Sequence, residues 1–237
     1  MPGVANQPEP LCGLIVVDKP YRLSSTSVVR VVKRRAGGAK TGHAGTLDPL
    51  ASGVLICCLG RATRWVERLM AMPKVYECDI DLSAVSTTHD LEGEITAVPE
   101  TAAPTRDAIN RTLAERFTGT ILQTPPIHSA MRLAGKRAYT LARKGREVKL
   151  EPRRIRIDLV EILKYEWPAL ALRIVCGRGT YIRSLAHDLG AALGAGGYLT
   201  QLRRTAIGPF TLDRAFRLDD VPDPIEPRHL IGVEEVE

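Results

Sequence analysis

Lys74-Val75-Tyr76-Glu77-Cys78-Asp79-Ile80-Asp81-Leu82 alternates without a break. In an extended chain Tyr76, Cys78, Ile80 and Leu82 fall on one face and Glu77, Asp79 and Asp81 on the other. That is the pattern of a strand with one buried and one wetted face. The same period recurs at Ile155, Ile157 and Leu159, and again at Leu170, Leu172 and Ile174. Half-buried alternating strands belong to antiparallel sheets more than to doubly wound ones. Two further stretches, Gly13-Leu14-Ile15-Val16-Val17 and residues 54–59, are apolar throughout and read as fully buried strands. Helices are expected after the caps Ser24-Ser25-Thr26, over 62–70, over 105–117 with Ile109, Leu113 and Phe117 in line, and over 184–193 with Leu185, Leu189 and Leu193 in line. The fold class expected is mixed α/β of the α+β kind, with a central, largely antiparallel sheet flanked by helices.

Bulk properties restrict the function. The chain has 237 residues, 44% of them hydrophobic, enough to bury a substantial core. It has no run of eighteen apolar residues, so no membrane span is expected, and Met1 to Leu11 lacks the apolar core of a signal peptide. A cytoplasmic location follows as the expectation. The five cysteines, Cys12, Cys57, Cys58, Cys78 and Cys176, form no C-x-x-C pair and read as reduced, mostly buried residues.

Charge is unevenly spread. The net charge is +6, but residues 132–156 carry ten Lys/Arg against two Glu, whereas residues 219–237 carry seven acids and one Arg. A basic stretch of this kind suits a polyanion partner and also suits an ordinary solvated face. The economical organisation is an N-terminal extension over 1–12, a single domain over 13–218 with a basic insertion at about 125–154, and a short acidic tail over 219–237.

Several chemistries are excluded by spacing. Gly38-Ala39-Lys40-Thr41 lacks the glycine that must precede the lysine of a phosphate-binding loop, and no strand runs into it. Gly177-Arg178-Gly179 has Ile182 where a dinucleotide fingerprint needs its third glycine. The five histidines show no zinc spacing, and no G-x-S-x-G elbow exists. The stretch from Gly42 to Gly53 is different. It sets His43 and Asp48 among glycines, with Pro49 holding Asp48 out of helical geometry and a buried strand following. On this local evidence Asp48 reads equally as a turn starter and as a carboxylate held for nucleophilic or acid–base work.

Gly42-His43-Ala44-Gly45-Thr46-Leu47-Asp48-Pro49-Leu50-Ala51-Ser52-Gly53 resembles the signature of the TruB family of pseudouridine synthases. Five other segments resemble that family in order and spacing: Val16-Val17-Asp18-Lys19-Pro20, Lys74-Val75-Tyr76, residues 123–130 with 135–139, Gly179 to Leu185, and Leu202-Arg203-Arg204-Thr205. The resemblance spans about residues 13–220. It implies the pseudouridine synthase fold and isomerisation of uridine to pseudouridine in RNA, in bacterial members at position 55 of the transfer RNA T-loop, with no cofactor and no metal. It implies that Asp48 is the catalytic carboxylate and that Arg183 pairs with it to keep it ionised in a desolvated site. It further implies that Tyr76 stacks on the flipped base, His43 helps extrude it, Tyr181 lies close to the uridine, and Leu202 walls the pocket. Lys19 is implied to support the pocket or a phosphate; as bare sequence it also reads as a surface lysine.

The partner implied is the T-arm stem-loop of transfer RNA, bound by a monomer without a guide RNA. The target base must leave its stack, and the basic stretch would supply phosphate contacts that offset the cost. The sequence departs from the family at Ser86-Thr87-Thr88-His89-Asp90, where a first acid is replaced, at His128 and Arg132, and after residue 204, where the small RNA-binding domain of many bacterial members is not expected.

Overall fold

The computed structural model describes residues 11–99, 102–126, 132–133, 136–137 and 150–236. His128, residues 1–10 of the expected N-terminal extension and most of the expected basic insertion lie outside the described residues. The elements run β1 (Gly13–Lys19), α1 (Ser25–Arg35), β2 (Thr41–His43), β3 (Ala51–Leu59), a 3-10 segment (Gly60–Trp65), α2 (Val66–Ala71), β4 (Lys74–Asp81), β5 (Ala84–Ser86) and β6 (Ile95–Ala97). They continue with α3 (Arg106–Arg116), β7 (Gly119–Gln123), β8 (Arg132–Leu133), β9 (Lys136–Arg137), β10 (Arg153–Glu166), β11 (Ala169–Cys176), α4 (Ile182–Ala192), β12 (Tyr198–Ile207), β13 (Phe210–Thr211) and β14 (Phe216–Arg217).

One large sheet has the order β14-β1-β3-β12-β4-β11-β10-β7, with β2 attached to β3 and β13 to β12. It is largely antiparallel; only β1 with β14 and β3 with β12 run parallel. The sheet changes character along its width, as the two sequence patterns require. β1 and β3 are buried on both faces. Leu14, Val16, Val54, Ile56 and Cys58 pack to one side with Ala62 and Leu69. Ile15, Val17, Leu55, Cys57 and Leu59 pack to the other, against Val28 and Val32 of α1. Apolar side chains are therefore needed at every position, not at alternate ones. β4 and β11 bury one face only: Cys78, Ile80, Leu170, Leu172 and Ile174 join Ile109 and Leu113 of α3 and Leu185 and Leu189 of α4 in the largest core.

The cap expected for α1 is present, with Ser24 Oγ accepting from the Ser27 N–H at 3.1 Å; Thr105, expected within its helix, instead caps α3, its Oγ1 accepting from the Ala108 N–H at 3.2 Å.

Three expectations are corrected. Leu159 was expected on the face of Ile155 and Ile157, but the register shifts between Ile157 and Leu159, and Leu159 is 40% exposed. A bulge adds one residue and exchanges the faces beyond it, so Val160 and Ile162 pack on the core instead. Residues 62–70 do not form one helix; they divide between the 3-10 segment and α2. The segment after 218, set apart by its charge, packs back onto the sheet. Val221 and Ile225 are buried beside α1, Ile231 bridges to Leu14, and Val236 is buried against the opposite face of β1 and β3.

Candidate active site

Asp48 sits on the stretch between β2 and β3, and its immediate neighbours explain its placement. Leu47 and Leu50 are buried in the largest core, so the acid between them faces outward. Ser25, in the first turn of α1, clamps the same stretch: its Oγ donates to Leu47 O at 2.9 Å and accepts from the Leu47 N–H at 2.8 Å. The Ala51 N–H closes a turn onto Asp48 O at 3.0 Å, and the Arg22 N–H holds Pro49 O at 2.8 Å. Gly53 is required at the start of β3. Its φ is +104°, and a Cβ there would lie 2.1 Å from Arg204 O on the neighbouring β12.

A cavity of about 420 Å³ opens above Asp48. Tyr76 of β4, Leu202 and Arg204 of β12, Tyr181 and Arg183 at the head of α4 all line it. Tyr76 and Arg204 are Cα partners across the sheet, and Leu202 pairs with Ala51 in parallel. The cavity thus lies over the place where β3, β12 and β4 run side by side. Arg183 Nη2 stands 2.9 Å from Asp48 Oδ2, with the arginine side chain 5% and the aspartate 34% exposed. The open side of Asp48 is the side a substrate can reach.

Arg183 is held in turn. Its Nη1 lies 3.2 Å from Asp90 Oδ2 and donates to Thr88 O at 3.2 Å. Asp90 also accepts at Oδ1 from Thr88 Oγ1 and, at 2.9 Å, from the Glu92 N–H. The substituted segment 86–90 therefore still delivers a carboxylate to the site. Above it His89, at φ +63°, stacks on His187 with ring centroids 4.1 Å apart. Burial, then His187 and then the Arg183 guanidinium push the His89 imidazole down to about 4.

Tyr181 is fixed through its backbone. Gln123, buried in β7, donates from Nε2 to Tyr181 O at 2.9 Å and accepts at Oε1 from the Tyr181 N–H at 2.8 Å. The Arg153 guanidinium lies 5.0 Å from the centre of the Tyr181 ring. On the other wall, Arg204 is fully buried, donating to Val54 O at 2.8 Å, Gly45 O at 3.1 Å and, weakly, Tyr76 Oη at 3.5 Å. Burial raises the Tyr76 phenol above its usual range, against the pull of Arg204.

Lys19 and His43 lie outside the lining of the cavity. Lys19 is fully buried, and its Nζ donates to Pro20 O at 2.9 Å, Leu23 O at 2.6 Å and Pro49 O at 3.5 Å. It neither lines the cavity nor lies at the surface; it braces the turn that carries Asp48, in keeping with a support for the pocket. Burial pushes its ammonium down to about 8, opposed by Asp48. His43 ends β2, half-buried, and lies two residues from Gly45 on the cavity rim without lining the cavity. Burial and the Arg204 guanidinium lower its imidazole from the ordinary value.

Arg204, Lys74 and Asp90 were not singled out by the sequence. The first two had a signal: Arg204 stands two residues from Leu202 and Lys74 two from Tyr76, so each shares a strand face with a residue that was. Lys74 is buried on the cavity wall, with Nζ donating to Met70 O and, at 2.6 Å, to Met72 O. Burial and Arg204 push its ammonium down to about 8.

The fold is that of the pseudouridine synthases. It aligns with a chain of a Cbf5–Nop10–Gar1 complex at a TM-score of 0.71 and 33% identity, over 94% of this chain and 61% of that one. This chain therefore spans less than two thirds of that structural relative. Residues 33–182 match the TruB family pseudouridylate synthase (N terminal domain), and residues 183–228 the tRNA pseudouridylate synthase B C-terminal domain. The tRNA pseudouridine synthase B of Bordetella pertussis is 42% identical over 88% of this chain and 86% of its own length. That of Parabacteroides distasonis is 43% identical over 91% and 88%. The chain belongs to the TruB family of pseudouridylate synthases.

Proposed function

We propose that this chain isomerises uridine to pseudouridine in transfer RNA, at position 55 of the T-loop, with Asp48 as the catalytic carboxylate. The observation that carries the reading is the half-open Asp48 carboxylate, paired with buried Arg183 at 2.9 Å on the floor of a cavity walled by Tyr76, Tyr181 and Leu202. Such a cavity suits one flipped base: Tyr76 offers a π-face, Leu202 an apolar wall, and Tyr181 a second ring. The uracil must leave C1′, turn, and rejoin through C5. Asp48 acts on the ribose, by attack at C1′ or by removing the C2′ proton, and later assists loss of the C5 proton. His43, beside the rim, helps displace the base from its loop. The enzyme works as a cytoplasmic monomer on the T-arm.

The test is Asp48→Asn on a T-arm stem-loop. We expect RNA affinity within a few-fold of the parent and no pseudouridine by chemical mapping. Product formed by this variant removes Asp48 from the chemistry.

A further inference from the structure

Buried charges are paired as a rule, because an ion taken out of water is costly without an opposite charge beside it. The active site follows that rule with one exception. Arg183 holds Asp48 and Asp90. Arg203 of β12, 34% exposed, meets Asp18 at 2.7 Å. Arg204, the next residue, points to the opposite face of the strand, into the cavity wall. It is 1% exposed and has no ion pair among the described residues. Its partners are the Val54 and Gly45 carbonyls and the Tyr76 hydroxyl, all uncharged.

The charge is therefore not cancelled where it stands, and its neighbours register it. Burial is the first cause of the lowered Lys19 and Lys74 ammonium groups and of the lowered His43 imidazole, and the Arg204 guanidinium adds to each. It also opposes the rise that burial gives the Tyr76 phenol. Tyr76, Lys74 and Gly45 line the cavity together with Arg204, so the field reaches the space a base would fill. In so dry a wall it is little screened. A cation placed there finds its counter-charge only when something negative forms in the cavity. A phosphate is the poorer match. A guanidinium that grips one turns its fork outward, and this fork is spent on carbonyls beneath the wall.

We propose that Arg204 is the fixed counter-charge of the uracil anion formed when the base detaches from C1′. This rests on the isomerisation proposed above. When the N1–C1′ bond breaks, both electrons stay with the base and spread over N1, O2 and O4, while Asp48 takes C1′ or a C2′ proton. The base turns, C5 bonds to C1′, and Asp48 gives back what it took. The proton lost from C5 is matched by one gained at N1, and Arg204 keeps its own throughout. A charge fixed in place beforehand stabilises the anion without reorganising during the reaction. Asp48, already paired with Arg183, is left to act on the ribose.

The test compares the binding of two T-arm stem-loops to the full chain. One carries 6-hydroxyuridine at the target position, whose base is an anion at neutral pH. The other carries 6-methyluridine, neutral and alike in shape. The parent is expected to favour the anionic base by at least about tenfold, the worth of one charge-assisted contact in a buried site. Arg204→Gln is expected to bring that preference to within about threefold and to slow single turnover of the uridine stem-loop by about 100-fold. Arg203→Gln, which makes the same charge change on the other face of β12, keeps the preference. A purely structural role for Arg204 weakens both stem-loops alike, so a preserved preference in Arg204→Gln overturns the proposal. An equal loss in Arg203→Gln overturns it too. Equal binding of the two stem-loops by the parent overturns it without any variant. The two readings fail separately. A parent that makes no pseudouridine removes the reaction, whereas one that makes it without favouring the anionic base removes the counter-charge.

Discussion

Asp90 and Arg183 meet at 3.2 Å with side chains 1% and 5% exposed, and the same guanidinium reaches Asp48 at 2.9 Å on its other arm. Removing one partner of a buried pair strands the other charge, at a cost of about 3–5 kcal/mol. Asp90→Ala is therefore expected to lower unfolding free energy by that order and to let Arg183 turn from Asp48. Turnover should fall at least tenfold, with RNA affinity changed much less. Chemical denaturation and single-turnover rates check both halves. Parental stability in Asp90→Ala would show that Arg183 does not depend on this partner.

His89 gives the fold a sensitivity to acid. Its folded value of about 4 lies below the ordinary 6.5, so the unfolded chain binds the proton more readily between those limits. The contribution is complete above about pH 6.5 and is lost as pH falls towards 4. His89→Asn tolerates the positive φ and does not titrate in this range. It is expected to melt lower than the parent at pH 7 but to lose less on going to pH 4.5. Parallel melting curves for the two proteins against pH would exclude His89 as the source.

Gly53 tests the seam between β3 and β12. An added Cβ meets Arg204 O at 2.1 Å from a φ of +104°, so strain and clash act together. Gly53→Ala is expected to cost at least about 3 kcal/mol, within the range of severe single substitutions. The thermal midpoint and the soluble yield report it. A midpoint within a few degrees of the parent would mean that the strands can separate at this point without penalty.

The architecture was legible where burial imposes a period. The alternation at 74–82, 170–174 and 105–117 placed β4, β11 and α3, because each of these elements has one dry face. It misled at Leu159, because a bulge is an extra residue in register with nothing, and no local property of Asp158 or Leu159 announces it. At the site, Asp48, Tyr76, Tyr181, Arg183 and Leu202 came together as the motif resemblance implied. Arg204 could have been found by its strand period. Asp90 could not: its partner is 93 positions away, and only the packing of α4 against the 86–90 segment brings them together. Lys19 kept two readings, support for the pocket and surface residue, because a lysine that spends its ammonium on three carbonyls cannot be told in sequence from one in water.

The stretch from Ala44 to Leu50 has its first residue in one core and Leu47 and Leu50 in another. It is a weld between two halves of the molecule that also carries Asp48. To swing this stretch aside, the protein would have to unseal both interiors at once. Adjustment to the incoming nucleotide must then come from the RNA and from the cavity's outer rim, and the enzyme meets a pliant substrate with a stiff anvil.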